Sequence, residues 1–358
     1  MTTQEQLSLE RLLIETYERG ASDLVLTVGN PPMMQVDGTY HPSRETVLSD
    51  EEVLAVQSLL VPEVGDRIHG ARRSKISGVT FRGDARFRVY CYTQEGHPAI
   101  SIRFIPKVSP QLSKLGFSED TIETLRSSRG LIVIGSRPGH GKTTTFASII
   151  DLWNSEREEH MIVIQQPIEH LFVDNKSIID QQEVGRDVPS FDVAIRDSAK
   201  ESATILAVDG APLSSFPMLI ERAASGQTVL ATMERLSALD VLDVLMTEGM
   251  TDRERRREEL ARVLSMILIQ ALVPKVQGGR ALVHEILIAN SGVRQMVAHG
   301  SIPQLQSMME TSRGEGMIGF DQHLALLVRE GHIDLAEARN FSVSPESFDA
   351  LQSHGTFD

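Results

Sequence analysis

The chain has 358 residues, of which 41% are hydrophobic and 23% charged, and at about 150 residues per domain this length predicts two globular domains. With 49 acidic and 35 basic residues the net charge is −14, which argues against nucleic-acid binding, because phosphate neutralisation needs clustered Lys and Arg. A lone Cys91, no signal-peptide pattern and no long apolar run predict a cytoplasmic protein without direct membrane insertion.

The first third of the chain predicts a small α+β unit. Apolar residues at helical spacing over 5–19 predict an amphipathic helix, and "ASDLVLTVGNPPMMQVDG" reads as two strands around a Gly-Asn-Pro-Pro turn. "SDEEVLAVQSLLV" combines a Ser N-cap with acidic residues in its first turn, which predicts a helix. Alternation in "ARFRVYCYTQEGHPAISIRFIP" predicts a hairpin joined across Gly96.

The remaining sequence predicts strands and helices that alternate in βαβ order. Apolar strands at 131–134, 162–164, 204–208 and 228–232 alternate with helical segments and predict a mainly parallel sheet. Helices are expected from about residue 250 to the end, beginning with "TDRERRREELARVLSMILIQAL". We therefore predict an α/β chain with an N-terminal α+β domain at 1–110, a linker and short helix at 111–128, a P-loop domain with a helical C-terminal end at 129–345, and a tail at 346–358.

A glycine-rich turn between a predicted strand and a predicted helix is the strongest single signal. "GLIVIGSRPGHGKTTTFASII" matches a P-loop, in which backbone N–H groups and a helix N-terminus hold phosphates. Lys142 would reach the β- and γ-phosphates of ATP, and the hydroxyl of Thr143 would bind Mg²⁺. His140 either tolerates the turn or contacts a phosphate. The predicted nucleotide-binding residues of this turn are Ser136, Arg137, Pro138, Gly139, His140, Gly141, Lys142, Thr143 and Thr144.

Three segments in order resemble the PilT-like ATPases that retract type IV pili, within the wider type II and type IV secretion ATPase group. They are "GLIVIGSRPGHGKTTTFASIIDLWN", "MIVIQQPIEHLFVDNKSIIDQQEVGRD" and "GQTVLATMERLSALD". The N-terminal segments "SDLVLTVGNPPMMQVDG", "ARFRVYCY" and "SIRFIP" lie where that family carries a PAS-like domain, and the resemblance runs from about residue 20 to 340.

The resemblance implies a hexameric ring of cytoplasmic subunits, each with a PAS-like domain joined to a RecA-like ATPase domain. It implies ATP and Mg²⁺ as cofactors, with Arg86, Arg88 and Arg103 at the positions of arginines that close on the phosphates. Arg86 and Arg88 share one face of their strand, as i and i+2 must. The implied partners are the inner-membrane platform of a pilus or secretion machine, at the inner face of the cytoplasmic membrane, and an active PilT-like paralogue.

The hydrolytic motifs depart from the family pattern. Gln165 and Gln166 replace adjacent Glu and Asp, and a glutamine cannot take a proton near neutral pH. At the Walker B position Asp209 falls on the family's glycine and Gly210 on its catalytic glutamate, while Glu234 stands in place of a histidine. These replacements predict an ATP-binding subunit of a twitching-motility or secretion machine whose hydrolysis is weak or lost.

Two alternatives remain open. "ILAVDG" alone is an ordinary Walker B pattern, so Asp209 could hold Mg²⁺ and Glu234 could polarise water in an active retraction motor. Against this, a shift of one residue along a strand turns a side chain to the opposite face, except at a strand end. The second alternative is a non-enzymatic ring or adaptor subunit that works with an active paralogue.

Overall fold

The structure is a computed structural model, and it describes residues 3–36, 39–61, 74–81, 85–105, 109–247, 253–311 and 316–353. The chain divides into two compact units. The first contains 1–108 together with the short segment 167–171, and the second contains 109–166 and 172–358. The segment from 111 to 128, predicted as a linker with a helix, is therefore part of the second unit.

Within its described residues, the first unit is a six-stranded antiparallel sheet with two helices. Its elements are α1 (Thr3–Glu18), β1 (Asp23–Thr27), β2 (Met33–Val36), β3 (Thr39–Pro42), α2 (Asp50–Leu60), β4 (Ser74–Phe81), β5 (Ala85–Gln94) and β6 (His97–Ile105). The strand order is β3-β2-β1-β6-β5-β4. Ser49 and Glu52 form a capping box that starts α2. Glu95 and Gly96 both have positive φ, as a two-residue hairpin turn between β5 and β6 requires.

The second unit is a seven-stranded sheet with helices on its faces. Up to α7 its elements are a 3₁₀ helix (Leu112–Leu115), α3 (Glu119–Ser127), β7 (Leu131–Gly135), α4 (Lys142–Glu156), β8 (His160–Gln165), β9 (Ile178–Glu183), α5 (Phe191–Asp197), β10 (Ile205–Val208), a 3₁₀ helix (Leu213–Ser215), α6 (Phe216–Ala224), β11 (Thr228–Met233) and α7 (Ala238–Thr247). The remaining elements are α8 (Arg253–Val263), β12 (Leu264–Pro274), β13 (Arg280–Ile288), α9 (Ser291–His299), α10 (Ile302–Thr311), α11 (Phe320–Arg329), α12 (Leu335–Phe341) and α13 (Pro345–Ser353).

The order of this sheet is β13-β12-β7-β11-β10-β8-β9, and every pair except β12–β13 is parallel. The carboxyl ends of parallel strands lie at one edge of a sheet. The ends of β7, β11, β10 and β8 and the segments directly after them therefore meet at this edge. They carry the glycine-rich turn, Glu234, Asp209, and Gln165 with Gln166. Two buried apolar layers, one on each face, hold the helices against the sheet.

Two expectations for the C-terminal part are wrong. "LSMILIQALVP" forms β12, between β7 and β13, rather than the continuation of the charged helix α8. A short apolar run that is buried on both sides has no period that separates strand from helix. Residues 346–353, predicted as part of a tail, belong to α13, and Phe348 is fully buried against a cluster that includes residues of β12 and β13. Residues 354–358 lie outside the described residues.

Candidate nucleotide-binding site

The glycine-rich turn leaves β7 at Gly135 and enters α4 at Lys142. Gly139 and Gly141 have φ of +77° and +87°, values that glycine adopts without the penalty of a side chain. Gly141 is the N-cap of α4, and because it has no side chain the first N–H groups of the helix carry no side-chain cap. An uncapped helix start of this kind favours an anion.

Lys142 lies over the turn. Its Nζ donates a 3.0 Å hydrogen bond to the carbonyl of Ser136, so the side chain folds back along the loop. Burial lowers the pKa of Lys142, while the negative charges of Glu234 and Asp209 act in the opposite direction. The structure thus brings the predicted lysine and both predicted acids into one electrostatic site.

Asp209 lies one residue beyond the end of β10, which stops at Val208. Its Oδ1 accepts a 2.6 Å hydrogen bond from the Thr232 hydroxyl, and the same hydroxyl accepts one of 2.9 Å from the N–H of Gly210. Thr232 belongs to β11, between β10 and β7. Since Asp209 is no longer in a strand, alternation does not turn its carboxylate away from the lysine.

Glu234 follows the last residue of β11, Met233, and its side chain is exposed. Gln165 ends β8 and is 1% exposed, and among the described residues its Oε1 has no hydrogen-bond partner. Gln166 is exposed, with its Nε2 beside Gly185. The edge of the sheet therefore presents two carboxylates near Lys142 and a buried neutral amide at the end of β8.

The other predicted residues of the turn differ in exposure. Ser136 is buried and its hydroxyl donates to the Arg137 carbonyl at 2.7 Å, whereas Arg137 and Pro138 are exposed. Thr143 and Thr144 lie in the first turn of α4 and are half-buried.

The ring of His140 contacts β12. Its Nδ1 accepts a 3.0 Å hydrogen bond from the backbone N–H of Leu272 in β12. This bond ties the imidazole to the sheet through one of its two ring nitrogens.

A cavity of about 360 Å³ opens beside the start of α4. It is lined by apolar and basic side chains together with the loop glycine. The residues are Lys114, Leu115, Gly116, Gly141, Thr144, Thr145, Gln270, Leu272, Lys275, Arg280, Ala281, Leu282, His323, Leu327 and His332. Apart from Gly141 and Thr144, sequence reasoning missed these residues, because they come from four separate segments with no motif of their own.

The three predicted arginines belong to the first unit. Arg88 and Arg103 are opposite each other on β5 and β6. Arg103 Nε donates to Asp23 Oδ1 at 2.8 Å, and Arg88 forms an ion pair with Glu169, in the 167–171 segment of the same unit. Arg86 lies in β5 opposite Ile105, and its side chain is outside the described residues.

The residues present fit a magnesium nucleotide. At Gly141 the space beside the turn depends on the missing side chain, because a Cβ placed there would lie 3.0 Å from Gln270 Nε2. Lys142 adds a positive charge at the same turn. Within the described ranges no group of three or more His, Cys, Asp or Glu forms a ready metal site. A magnesium ion would therefore depend on phosphate oxygens as well as on Thr143 and Asp209.

Fold and site together define a P-loop α/β protein with a second, α+β unit. The chain belongs to the family of type II/IV secretion system proteins, whose model matches residues 78–338. This match, which covers most of the chain, confirms the resemblance drawn from the motifs.

Relatives match nearly the full length. The type IV pilus retraction ATPase PilT of Pseudomonas aeruginosa is 29% identical over 347 residues, which cover 96% of this chain and all of that protein. The type IV pilus ATPase PilU of the same organism is 29% identical over 335 residues, covering 93% of this chain and 88% of that protein. A crystal structure of the pilus retraction motor PilT with bound ADP superposes with a TM-score of 0.86 and 29% identity, covering 95% and 98% of the two chains. The α/β fold-class prediction is confirmed.

Proposed function

We propose that this chain is an ATP-binding subunit of a type IV pilus machine for twitching motility, or of a related secretion machine, and that its own hydrolysis is slow. The observation that carries the proposal is the glycine-rich loop with Lys142 folded over it, at the same sheet edge at which the neutral Gln165 ends β8. The family match and the ADP in the similar PilT structure support the use of a nucleotide.

The phosphates of ATP occupy the loop from Ser136 to Thr144, and the base and ribose occupy the 360 Å³ cavity beside it. This assignment rests on adjacency, since Gly141 and Thr144 belong to both. Lys275 and Arg280 at the cavity wall add positive charge for an anionic ligand.

Thr143 and Asp209 would hold Mg²⁺. The ion would neutralise charge on the β- and γ-phosphates. Asp209 is kept in place by the Thr232 hydroxyl, which orients its carboxylate before any ligand arrives. Arg86, Arg88 and Arg103 are the arginines proposed to reach the phosphates. In this structure Arg88 pairs with Glu169 and Arg103 pairs with Asp23.

Slow turnover follows from the missing general base. A positioned acid or base contributes about 10²- to 10⁴-fold to a rate, and an amide at position 165 contributes no proton transfer. At position 210, where the family has its catalytic glutamate, the glycine has φ of +82°. A glutamate there would occupy a left-handed conformation that costs about 1–2 kcal/mol.

A specific observation favours a second candidate, an active retraction motor. The charges of Asp209 and Glu234 both act on Lys142, and Asp209 is freed from strand alternation by the end of β10. In this candidate Asp209 holds the metal and Glu234 polarises the attacking water.

The proposed setting is a homo-hexameric ring at the cytoplasmic face of the inner membrane, on the platform of the machine and with an active PilT-like paralogue. Pseudomonas aeruginosa has two relatives of this chain, PilT and PilU, which supports pairing with a paralogue. Among the described residues no helix has the length and apolar character to cross a membrane.

Nucleotide binding is tested with Lys142→Ala. Because Lys142 supplies the point charge to the phosphates, we expect the Kd for Mg·ATP to rise at least about tenfold, the equivalent of 1.4 kcal/mol. Lys200→Ala is the matched control, since Lys200 is an exposed lysine whose Nζ pairs with Asp197, three residues earlier in the chain. Equal affinities of wild type and Lys142→Ala by calorimetry would refute the phosphate-loop assignment.

Turnover is tested in the same preparations by phosphate release. We expect slow phosphate release by wild type and a rise of about tenfold or more in Gln165→Glu. This substitution restores a base and avoids placing a glutamate at position 210, where the positive φ disfavours it. Brisk wild-type release that collapses in both Asp209→Asn and Glu234→Gln would favour the active motor.

A further inference from the structure

His140 is tied to β12 by two hydrogen bonds. Gln270 Nε2 donates to the His140 carbonyl at 2.7 Å, and the backbone N–H of Leu272 donates to the ring Nδ1 at 3.0 Å. Gln270 is 2% exposed, and its Nε2 would lie 3.0 Å from a Cβ placed on Gly141. The carbonyl and the imidazole of one residue therefore hold the middle of the phosphate loop against the sheet.

The register of the sheet explains why β12 is available for these bonds. The ladder between β12 and β7 ends at the pair Ile269–Gly135, because β7 stops there, while β12 continues to Pro274. On its other side β12 stays paired with β13, as in Leu272–Leu282. The Leu272 N–H that binds the His140 imidazole thus belongs to the part of β12 that extends beyond the end of β7.

The bond to Leu272 specifies the protonation state of the ring. Nδ1 must carry a lone pair to accept it, so the ring is neutral with its hydrogen on Nε2. In a protonated ring the Nδ1–H of His140 would point at the N–H of Leu272. The half-buried Leu272 N–H would then have lost its acceptor, which costs about 1–3 kcal/mol.

The charges around His140 favour the neutral ring. Burial lowers its pKa, and so do the positive charges of Arg137 in the loop, Arg280 on β13 and Lys142 on α4. On the α12 side the ring faces the uncharged Phe341, with ring centroids 6.4 Å apart. Asp240 of α7 is the acidic residue that shares a cavity of about 530 Å³ with His140.

We propose that neutral His140 is a positioning residue that latches the phosphate loop to β12, and that its protonation releases the latch and lowers nucleotide affinity in acid. The inference rests on the proposed function, since it concerns the loop assigned to ATP. Gln270 supplies the part of the latch that does not titrate.

The test compares wild type with His140→Asn, His140→Ala and Gln270→Met by calorimetry with Mg·ADP between pH 8 and pH 5. An Asn side chain can offer its oxygen where Nδ1 stands and does not titrate. We expect wild type to lose about tenfold in affinity relative to His140→Asn as pH falls, because one lost buried hydrogen bond of about 1.4 kcal/mol is a tenfold change. His140→Ala should bind weakly at every pH, with no extra loss in acid. Gln270→Met, which keeps the imidazole, should bind weakly and still lose affinity in acid.

Thermal midpoints at each pH show that every variant is folded. No binding by wild type at pH 8 would refute the nucleotide site itself. Parallel pH profiles in wild type and His140→Asn would overturn the latch alone, as would affinity that rises in acid in wild type only, the signature of an imidazolium–phosphate contact.

Discussion

Glu285 is a buried carboxylate of β13 that holds the first turns of two helices. It accepts a 2.6 Å hydrogen bond from the Ala238 N–H at the start of α7, and a second from the backbone of Phe320 at the start of α11. Burial nevertheless raises its pKa to about 7, with smaller contributions of the same sign from Asp321 and Asp240. The folded protein therefore favours the protonated acid relative to the unfolded chain.

This raised pKa gives stability a definite pH dependence. The contribution of the neutral acid is fully present below the ordinary value of 4.5 and is lost as pH rises through about 7. We expect Glu285→Gln to remove this dependence, so that wild type loses up to about 3 kcal/mol relative to the variant between pH 5 and pH 8.

Thermal midpoints across this range measure the effect, with Glu221→Gln as the control because the Glu221 side chain is 71% exposed. The same pH dependence in Glu285→Gln as in wild type would contradict the assignment.

At this scale the sequence predicts residues that belong to motifs. Lys142 follows from the glycine-rich turn and Asp209 from the Walker B pattern, whereas Glu234 is singled out only by the family resemblance; the charges of both acids act on Lys142. The orientation of Asp209 depends on where β10 ends, which a pattern locates only within a few residues. The bond of His140 to Leu272 joins residues 132 positions apart, and no local pattern carries it.

Among the elements, a buried guanidinium is one of the groups that join α3 to α4. Arg157 Nη2 donates to the carbonyls of Leu125, Arg126 and Ser128 at 2.8–3.1 Å, where α3 ends. Its guanidinium lies 4.5 Å from the centre of the Trp153 ring. Burial lowers the pKa of Arg157 to about 10, so it remains charged at neutral pH.

We expect Arg157→Ala to lower the free energy of unfolding by about 2–4 kcal/mol, since hydrogen bonds from a charged donor and the ring contact are lost together. Denaturant titration monitored at Trp153, the single tryptophan of the chain, measures this change. The control is Arg129→Ala, because Arg129 is 60% exposed and pairs with Glu159, and exposed pairs contribute about 0–1 kcal/mol. Equal effects of the two substitutions would show that the carbonyl contacts of Arg157 contribute little.

The elements that sequence patterns predict are those with a clear period or end signal. α2 has its capping box and the β5–β6 hairpin has its Gly96 turn, and both occur as expected. The segment that forms β12 has no such signal, because its apolar run is buried on both faces and fits a helix equally well. Its strand conformation comes from pairing with β7, which lies far earlier in the sequence, and with β13, which follows β12.

At the scale of the whole molecule, the sequence predicts two globular domains and a net negative charge, but not how copies associate. Each unit has its own apolar core, so neither depends on the other for burial of its sheet. Association is fixed by surface shape and charge, which carry no periodic signal in one sequence. The proposed ring therefore rests on the family and on symmetry.

Symmetry makes the ring testable. A head-to-tail interface between identical chains either closes into a ring or grows into a filament. Because each chain carries a net charge of −14, added copies repel one another, and salt that screens this repulsion should favour assembly.

We expect one particle of about 240 kDa, six chains of 39.6 kDa each, whose mass stays constant above its assembly concentration and whose assembly strengthens from 50 to 300 mM NaCl. Light scattering with sedimentation, with and without Mg·ADP, measures the mass, and Lys142→Ala shows whether nucleotide is required. Monomer alone at tens of micromolar, or mass that keeps growing with concentration, would count against a closed ring.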